Sequence, residues 1–215
     1  MFITIEGIEG SGKTTQVRLL AAALEHLGSA VKVTREPGGT DLGSRLRDLL
    51  LHSGTQVGRY AELLLILADR AEHVETVIRP ALASGAVVLC DRFADSTLAY
   101  QAFGRELPLE EVQVVEAVAR QNLLPDLTFV LDCPVETGLA RTEKRRGAAA
   151  ADRFEGEAKA FHERVRRGFL ALARDQPARM VVLDTTRPRE DVRREILARS
   201  AARLGLPLDG IVDSR

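Results

Sequence analysis

Short β-branched and aliphatic runs alternate along the chain with longer segments whose apolar positions recur at helical spacing. FITIE is followed by QVRLLAAALEHL, and AVKVT by DLGSRLRDLLL; AVVLCD, LTFVLD and RMVVLD come later. Strands alternating with helices predict an α/β fold with a parallel sheet covered on both faces. Gly28 and Gly85 stand where helix stop signals belong, the second after a predicted helix from about Arg59 through Pro80.

RRGAAAADRFE, Arg145 to Glu155, interrupts this pattern: a basic run meets small residues between two helical segments and reads as a flap. The stretch after Leu206, PLDGIVDSR, has little periodicity and is expected to fray. The expected organisation is a single domain over 1–206, with a lid at about 145–154 and a tail at 207–215.

The chain has 215 residues, enough for one domain with a substantial core. Its formal net charge of -1 gives no field for nucleic acid or an acidic membrane, so an anion must be met by a local basic cluster. Cys90 and Cys133 sit in apolar runs without metal or disulfide spacing, as buried thiols of a reducing compartment would. No apolar run approaches the roughly 18 residues needed to span a bilayer. A soluble, cytoplasmic protein is expected.

Gly7, Ile8, Glu9, Gly10, Ser11, Gly12, Lys13 and Thr14 fit G-x-x-x-x-G-K-[ST], directly after a predicted strand and directly before a predicted helix. Glycines let successive N–H groups converge on phosphate oxygens, and the helix aims its positive end at the same place. Lys13 is then placed for the β and γ phosphates, Thr14 for Mg²⁺, and Thr15 follows within the first turn. ATP or GTP binding follows, but no reaction yet.

The single asparagine, Asn122, lies outside any N-K-x-D motif, which disfavours a guanine switch. AVVLCD continues into Arg92-Phe93 where a hydrolase would carry a second carboxylate, and H-R-D and D-F-G are missing. Transfer to a small phosphorylated acceptor remains. Such a reaction needs cations aimed at two polyanions and a lid against water; Arg145, Arg146 and Arg153 are the flap's candidates. His26, His52, His73 and His162 have no ligand spacing and read as structural or surface residues.

TREPGGT (Thr34–Thr40), DRFADSTLAYQAFGRE (Asp91–Glu106) and PDLTFVLD (Pro125–Asp132), in this order and spacing, resemble bacterial thymidylate kinases, and the resemblance extends to DTTRP at Asp184–Pro188. It implies a P-loop kinase fold with a five-stranded parallel sheet flanked by helices and a small Arg-rich lid. It also implies a homodimer that uses ATP and Mg²⁺ to convert dTMP to dTDP.

The same resemblance assigns roles. Arg92 would hold the acceptor phosphate, with Arg35 as a second contact; Asp91 would join Thr14 around the metal and its waters, and Glu36 would lie near acceptor and metal. Arg70 would face thymine O4, with Ser96, Thr97 and Gln101 near the base edge and Tyr100 under the sugar. Glu9 would reach the sugar 3′-hydroxyl. Arg153 is the first choice for the catalytic lid cation, with Arg145 and Arg146 as partners.

Ile66 stands where the family usually stacks phenylalanine on the base, so an aliphatic contact, Phe103 or another ring must replace it. Asp132 would approach phosphates through water or cap the following helix, and DTTRP would pack on adenine. The readings kept beside a dTMP kinase are a kinase for another monophosphate such as dUMP or dCMP, and a silent nucleotide-binding regulator.

Overall fold

The computed structural model describes residues 1–52, 54–147 and 152–207. Five strands, β1 (Phe2–Glu6), β2 (Val31–Arg35), β3 (Val87–Asp91), β4 (Leu127–Asp132) and β5 (Met180–Asp184), form one parallel sheet in the order β2-β3-β1-β4-β5. Central β1 is buried along its whole length: Phe2, Ile3 and Ile5 are apolar, and the one hydroxyl among them, on Thr4, is paired with that of Thr128 at 2.8 Å. On one face Ile3, Ile5, Leu89 and Phe129 pack with Val17, Leu20 and Leu24 of α1 (Lys13–His26) and Ile196 of α9 (Arg189–Leu204). On the other, Val130 joins Val165 and Phe169 of α8 (Lys159–Asp175). Each fully buried side chain of this size contributes on the order of 1.5–3 kcal/mol.

The predicted helix from Arg59 is longer and less regular than its sequence pattern. α3 (Arg59–His73) runs into a π-helical turn, Val74–Ile78, and then into α4 (Arg79–Ala83). Pro80 lacks an N–H for the helical ladder, and the π-helical turn just before it, closed by the Arg79 N–H on the Val74 carbonyl, admits it at the start of α4. The Asp91–Glu106 stretch likewise forms a short α5 (Ala94–Thr97) and a second π-helical segment, Leu98–Gly104. α6 (Leu109–Ala119) packs against α3.

The basic start of the expected flap is helical. α7 (Val135–Arg146) carries Arg145 and Arg146 in its last turn, so both belong to a helix end and not to a loop. Asp152 then accepts the N–H groups of Phe154 and Glu155 through Oδ1, at 2.9 and 2.8 Å, turning the chain toward α8. Residues 148–151 of the expected lid and 208–215 of the expected tail lie outside the described residues.

Register decides where the chemistry sits. Ile5 pairs with Asp91 and Glu6 with Val130, so the carboxyl ends of β1, β3 and β4 lie side by side. The chain passes from β1 to β2 on one side of β1 and crosses from β3 to β4 on its other side, and ligands of open parallel sheets bind outside such a switch point.

Candidate active site

The glycine-rich turn closes between β1 and α1 with little room to spare. A Cβ on Gly10 would run into the carbonyl oxygen of Gly138 in α7. Gly12, at φ 101°, delivers the chain into α1 and caps it without a side chain, leaving the first-turn N–H groups for an anion. Lys13 is buried beneath the turn and donates from Nζ to the Ile8 carbonyl at 2.8 Å. Burial and then the nearby Arg92 push its pKa from the usual 10.5 down to about 8.

Thr14 Oγ1 donates to Asp91 Oδ2 at 2.6 Å, joining the start of α1 to the end of β3. This hydroxyl and carboxylate fit a hard divalent cation that keeps waters and phosphate oxygens in its shell. Among the described residues no cluster of three or more His, Cys, Asp or Glu offers an all-protein cage instead.

Arg92 follows with φ 72°, a left-handed conformation that turns its side chain back over the phosphate loop. Its guanidinium donates to Gly7 O at 2.9 Å and Ser96 Oγ at 3.1 Å through one nitrogen. The other reaches Glu9 Oε1 at 3.0 Å and Tyr100 Oη at 2.9 Å. Tyr100 in turn donates to Glu9 Oε1 at 2.5 Å. Glu6, fully buried, anchors the turn from below, accepting the Phe93 N–H at 2.7 Å and the Ser96 hydroxyl at 2.5 Å. Burial, with Asp95 adding to it, pushes the Glu6 pKa well up.

Glu9 is the odd carboxylate in a phosphate loop, and its surroundings explain why it is tolerated. Burial favours its protonation, but His162, then Arg92, Lys13 and Tyr100, outweigh burial and hold it well below the usual carboxylate range. His162 is fully buried on α8, with Nδ1 3.2 Å from Glu9 Oε2 but off the line of a good hydrogen bond. That contact singles His162 out from the four histidines; His26 and His52 are exposed, and His73 bridges Glu36 and Thr34.

The wall of the cleft away from the loop is made by α3 and the segment after Arg92. Arg70, only 1% exposed, is gripped by Glu36 at 2.8 and 2.9 Å and donates to Thr97 Oγ1 at 2.7 Å. Ile66, Ser96, Thr97, Tyr100 and Gln101 line the same cleft as Lys13, Thr14, Thr15, Asp91 and Arg92. Phe103 does not replace the missing ring: it packs against Gly168 of α8. Phe154 lines the cleft instead, edge-on to Tyr100 at 5.5 Å between ring centres.

Arg35 is in the cleft, joined by Arg47 of α2 (Asp41–Leu51), which nothing in the sequence separates from Arg45 two residues earlier. Burial lowers the Arg47 pKa, and Arg35 lowers it further. Cations crowded together in this way fit a polyanionic ligand.

The lid cations divide. Arg145 reaches the cleft, pairing with Glu155 at 3.5 Å, and Arg146 pairs with the same carboxylate. Arg153 points away: it donates to Val57 O at 2.7 Å, lies 2.9 Å from Glu62 Oε2, and lines a neighbouring hollow with Leu50–His52 and 54–57. The expected first choice is therefore not gathered with the phosphate loop. Asp132 is ion-paired with Arg166 at 2.7 Å and caps no helix. Cys90 and Cys133 are buried free thiols.

Comparison with known proteins supports the same reading. The family model described as thymidylate kinase matches residues 5–196. A thymidylate kinase of Trichlorobacter lovleyi is 46% identical over 97% of this chain and 100% of its own length. Another, of Desulfovibrio desulfuricans, is 52% identical over 89% of this chain and 91% of its own. A crystal structure of thymidylate kinase from Ehrlichia chaffeensis superposes with a TM-score of 0.75 at 34% identity, covering 93% of this chain and 97% of that one. With the loop, the strand-end aspartate and the arginine turn in one cleft, this chain belongs to the thymidylate kinase family.

Proposed function

We propose that the chain transfers the γ-phosphoryl group of ATP to dTMP, giving ADP and dTDP, in the cleft between the glycine-rich loop and the α3 wall. The observation that carries this is Arg92, which joins the phosphate loop through Gly7 and Glu9 to the acceptor wall through Ser96 and Tyr100.

An oxygen of the acceptor phosphate attacks the γ phosphorus, and the bond to the β–γ bridging oxygen breaks to release ADP. The attacking oxygen is already anionic at neutral pH, so no strong base is needed; alignment and charge neutralisation supply the rate. Lys13 and the first turn of α1 hold the donor phosphates. Arg92, with Arg35 and Arg47 along the cleft, holds the acceptor phosphate. Thr14 and Asp91 would hold Mg²⁺, which would supply charge neutralisation when bound. Glu9 and Tyr100 fix Arg92 and face the sugar, while Arg70, Thr97 and Gln101 face the base beside Ile66. Arg145 and Arg146, at the end of α7, are better placed than Arg153 to bring positive charge over the transferring group.

A coupled ADP-release assay with Mg-ATP and dTMP, dUMP, dCMP or no acceptor tests this. Fast turnover with dTMP and little without acceptor is expected; ADP release indifferent to the acceptor overturns the kinase reading.

The protein works as a homodimer in the cytoplasm. No helix among the described residues is long and apolar enough to cross a membrane. The support for a dimer is aliphatic exposure on two adjacent helices: Leu64 of α3 and Val114 and Val118 of α6, the last 75% exposed. Val118→Glu is expected to convert the dimer to monomer in light scattering without lowering the melting temperature of the fold. An unchanged mass places the interface elsewhere.

A further inference from the structure

Glu62 touches neither end of the reaction, yet the acceptor wall and the lid meet at its carboxylate. It lies in the first turn of α3 and is 0% exposed. Oε1 accepts from Gln101 Nε2 at 2.9 Å and from Arg105 Nε at 3.0 Å. Oε2 accepts from the second Arg105 nitrogen at 3.0 Å and lies 2.9 Å from Arg153 of the lid segment.

A carboxylate between two guanidinium groups has only acceptor oxygens to offer, so the Gln101 amide must turn its NH₂ toward it. The other end of that amide follows. Gln101 Oε1 is buried and has no hydrogen-bond partner among the described residues, while the residue lines the cleft beside Arg70, Ser96 and Thr97. A buried carbonyl oxygen left without a donor is costly, and a ligand N–H in the cleft satisfies it.

We infer that Glu62 is a positioning residue for base specificity, fixing Gln101 with its carbonyl oxygen toward the acceptor base. So presented, the oxygen favours a dioxopyrimidine, whose ring N–H donates at that edge. It disfavours an aminopyrimidine, whose ring nitrogen there is an acceptor and would face it lone pair to lone pair. Arg153 ties the lid segment to the same carboxylate, so the residue that orients the amide also seats the lid. The inference rests on the reading of the cleft as a nucleoside monophosphate site.

The test compares kcat/KM for dTMP and dCMP in the full chain with Mg-ATP. In Glu62→Gln the new amide can donate as well as accept, so Gln101 is free to flip. The dTMP:dCMP ratio is expected to fall about tenfold or more, chiefly through a higher KM for dTMP. A merely structural role lowers both acceptors alike and leaves the ratio unchanged, which overturns the inference. If Glu62→Gln gives no cooperative melting curve, Gln101→Met decides: it keeps Glu62 with its arginines and removes the whole Gln101 amide, and an unchanged ratio there overturns the inference as well. Wild-type turnover of dTMP tests the underlying reading separately; a chain that ignores dTMP overturns both.

Discussion

Replacing Arg92 with lysine is expected to lower kcat/KM for dTMP by about 10²–10³-fold, with the melting temperature nearly unchanged. The guanidinium works as a fork: one nitrogen spans Gly7 O and Ser96 Oγ while the other spans Glu9 and Tyr100. An ammonium is a single point with no second arm, so it can hold the charge but not the geometry. Loss of alignment by an ångström costs about 10²-fold in such reactions. The fold is spared because lysine meets the same left-handed backbone at φ 72°, and Glu6 still anchors the turn through Phe93 and Ser96. Steady-state kinetics with varied dTMP and a thermal melt check this; activity within a factor of a few of wild type would show that Arg92 acts as a simple charge.

Lys13→Ala is expected to cost about 10³-fold in kcat, since a buried cation aimed at developing charge is lost. Lys13 also predicts a pH signature of binding. In the free protein its pKa lies at about 8, because burial and Arg92 disfavour the charged form. A polyphosphate beside Nζ favours that form and raises the pKa. Nucleotide binding should therefore take up close to one proton between pH 8 and the usual lysine range near 10, and almost none from Lys13 well below pH 8. Calorimetry of ATP binding at pH 8.5 in buffers of different ionisation enthalpy measures this. Lys13→Ala should abolish the uptake, and a wild-type enthalpy independent of buffer would mean that Lys13 is charged throughout.

Much of the fold was legible because it depends on local pattern. FITIE, AVVLCD and LTFVLD are short apolar runs of the kind that fills a covered sheet, and each became a strand of the parallel sheet. The glycine-rich loop was legible for the same reason: its spacing has few other uses, and its strand and helix neighbours are adjacent in the chain. The helix after Arg59 was only partly so. Its apolar period showed a helix, but the π-helical turn that admits Pro80 depends on how the backbone relaxes and not on period.

The site divides along similar lines. Lys13, Thr14, Asp91 and Arg92 are read from motifs because each lies at a strand end or where the loop leaving one enters its helix. Arg47, His162 and Glu62 enter from α2, α8 and α3, where nothing in sequence distinguishes them from neighbouring charged positions. Arg153 shows the converse. Its place in a basic flap suggested a phosphate partner, while the packed chain offers it the Val57 carbonyl and the Glu62 carboxylate.

Local sequence is enough to specify a phosphate loop after a strand, a parallel α/β sheet around it and the family's acceptor motifs. Those properties follow from backbone freedom at glycines, from hydrophobic period and from residues close together in the chain. Which polar groups meet is settled by packing: Glu36 with Arg70, Glu9 with Arg92 and His162, Glu62 with Gln101 and Arg153. Such pairs join positions from 34 to over 150 residues apart, and their strength depends on burial and on ångström distances that appear only when the helices pack on the sheet.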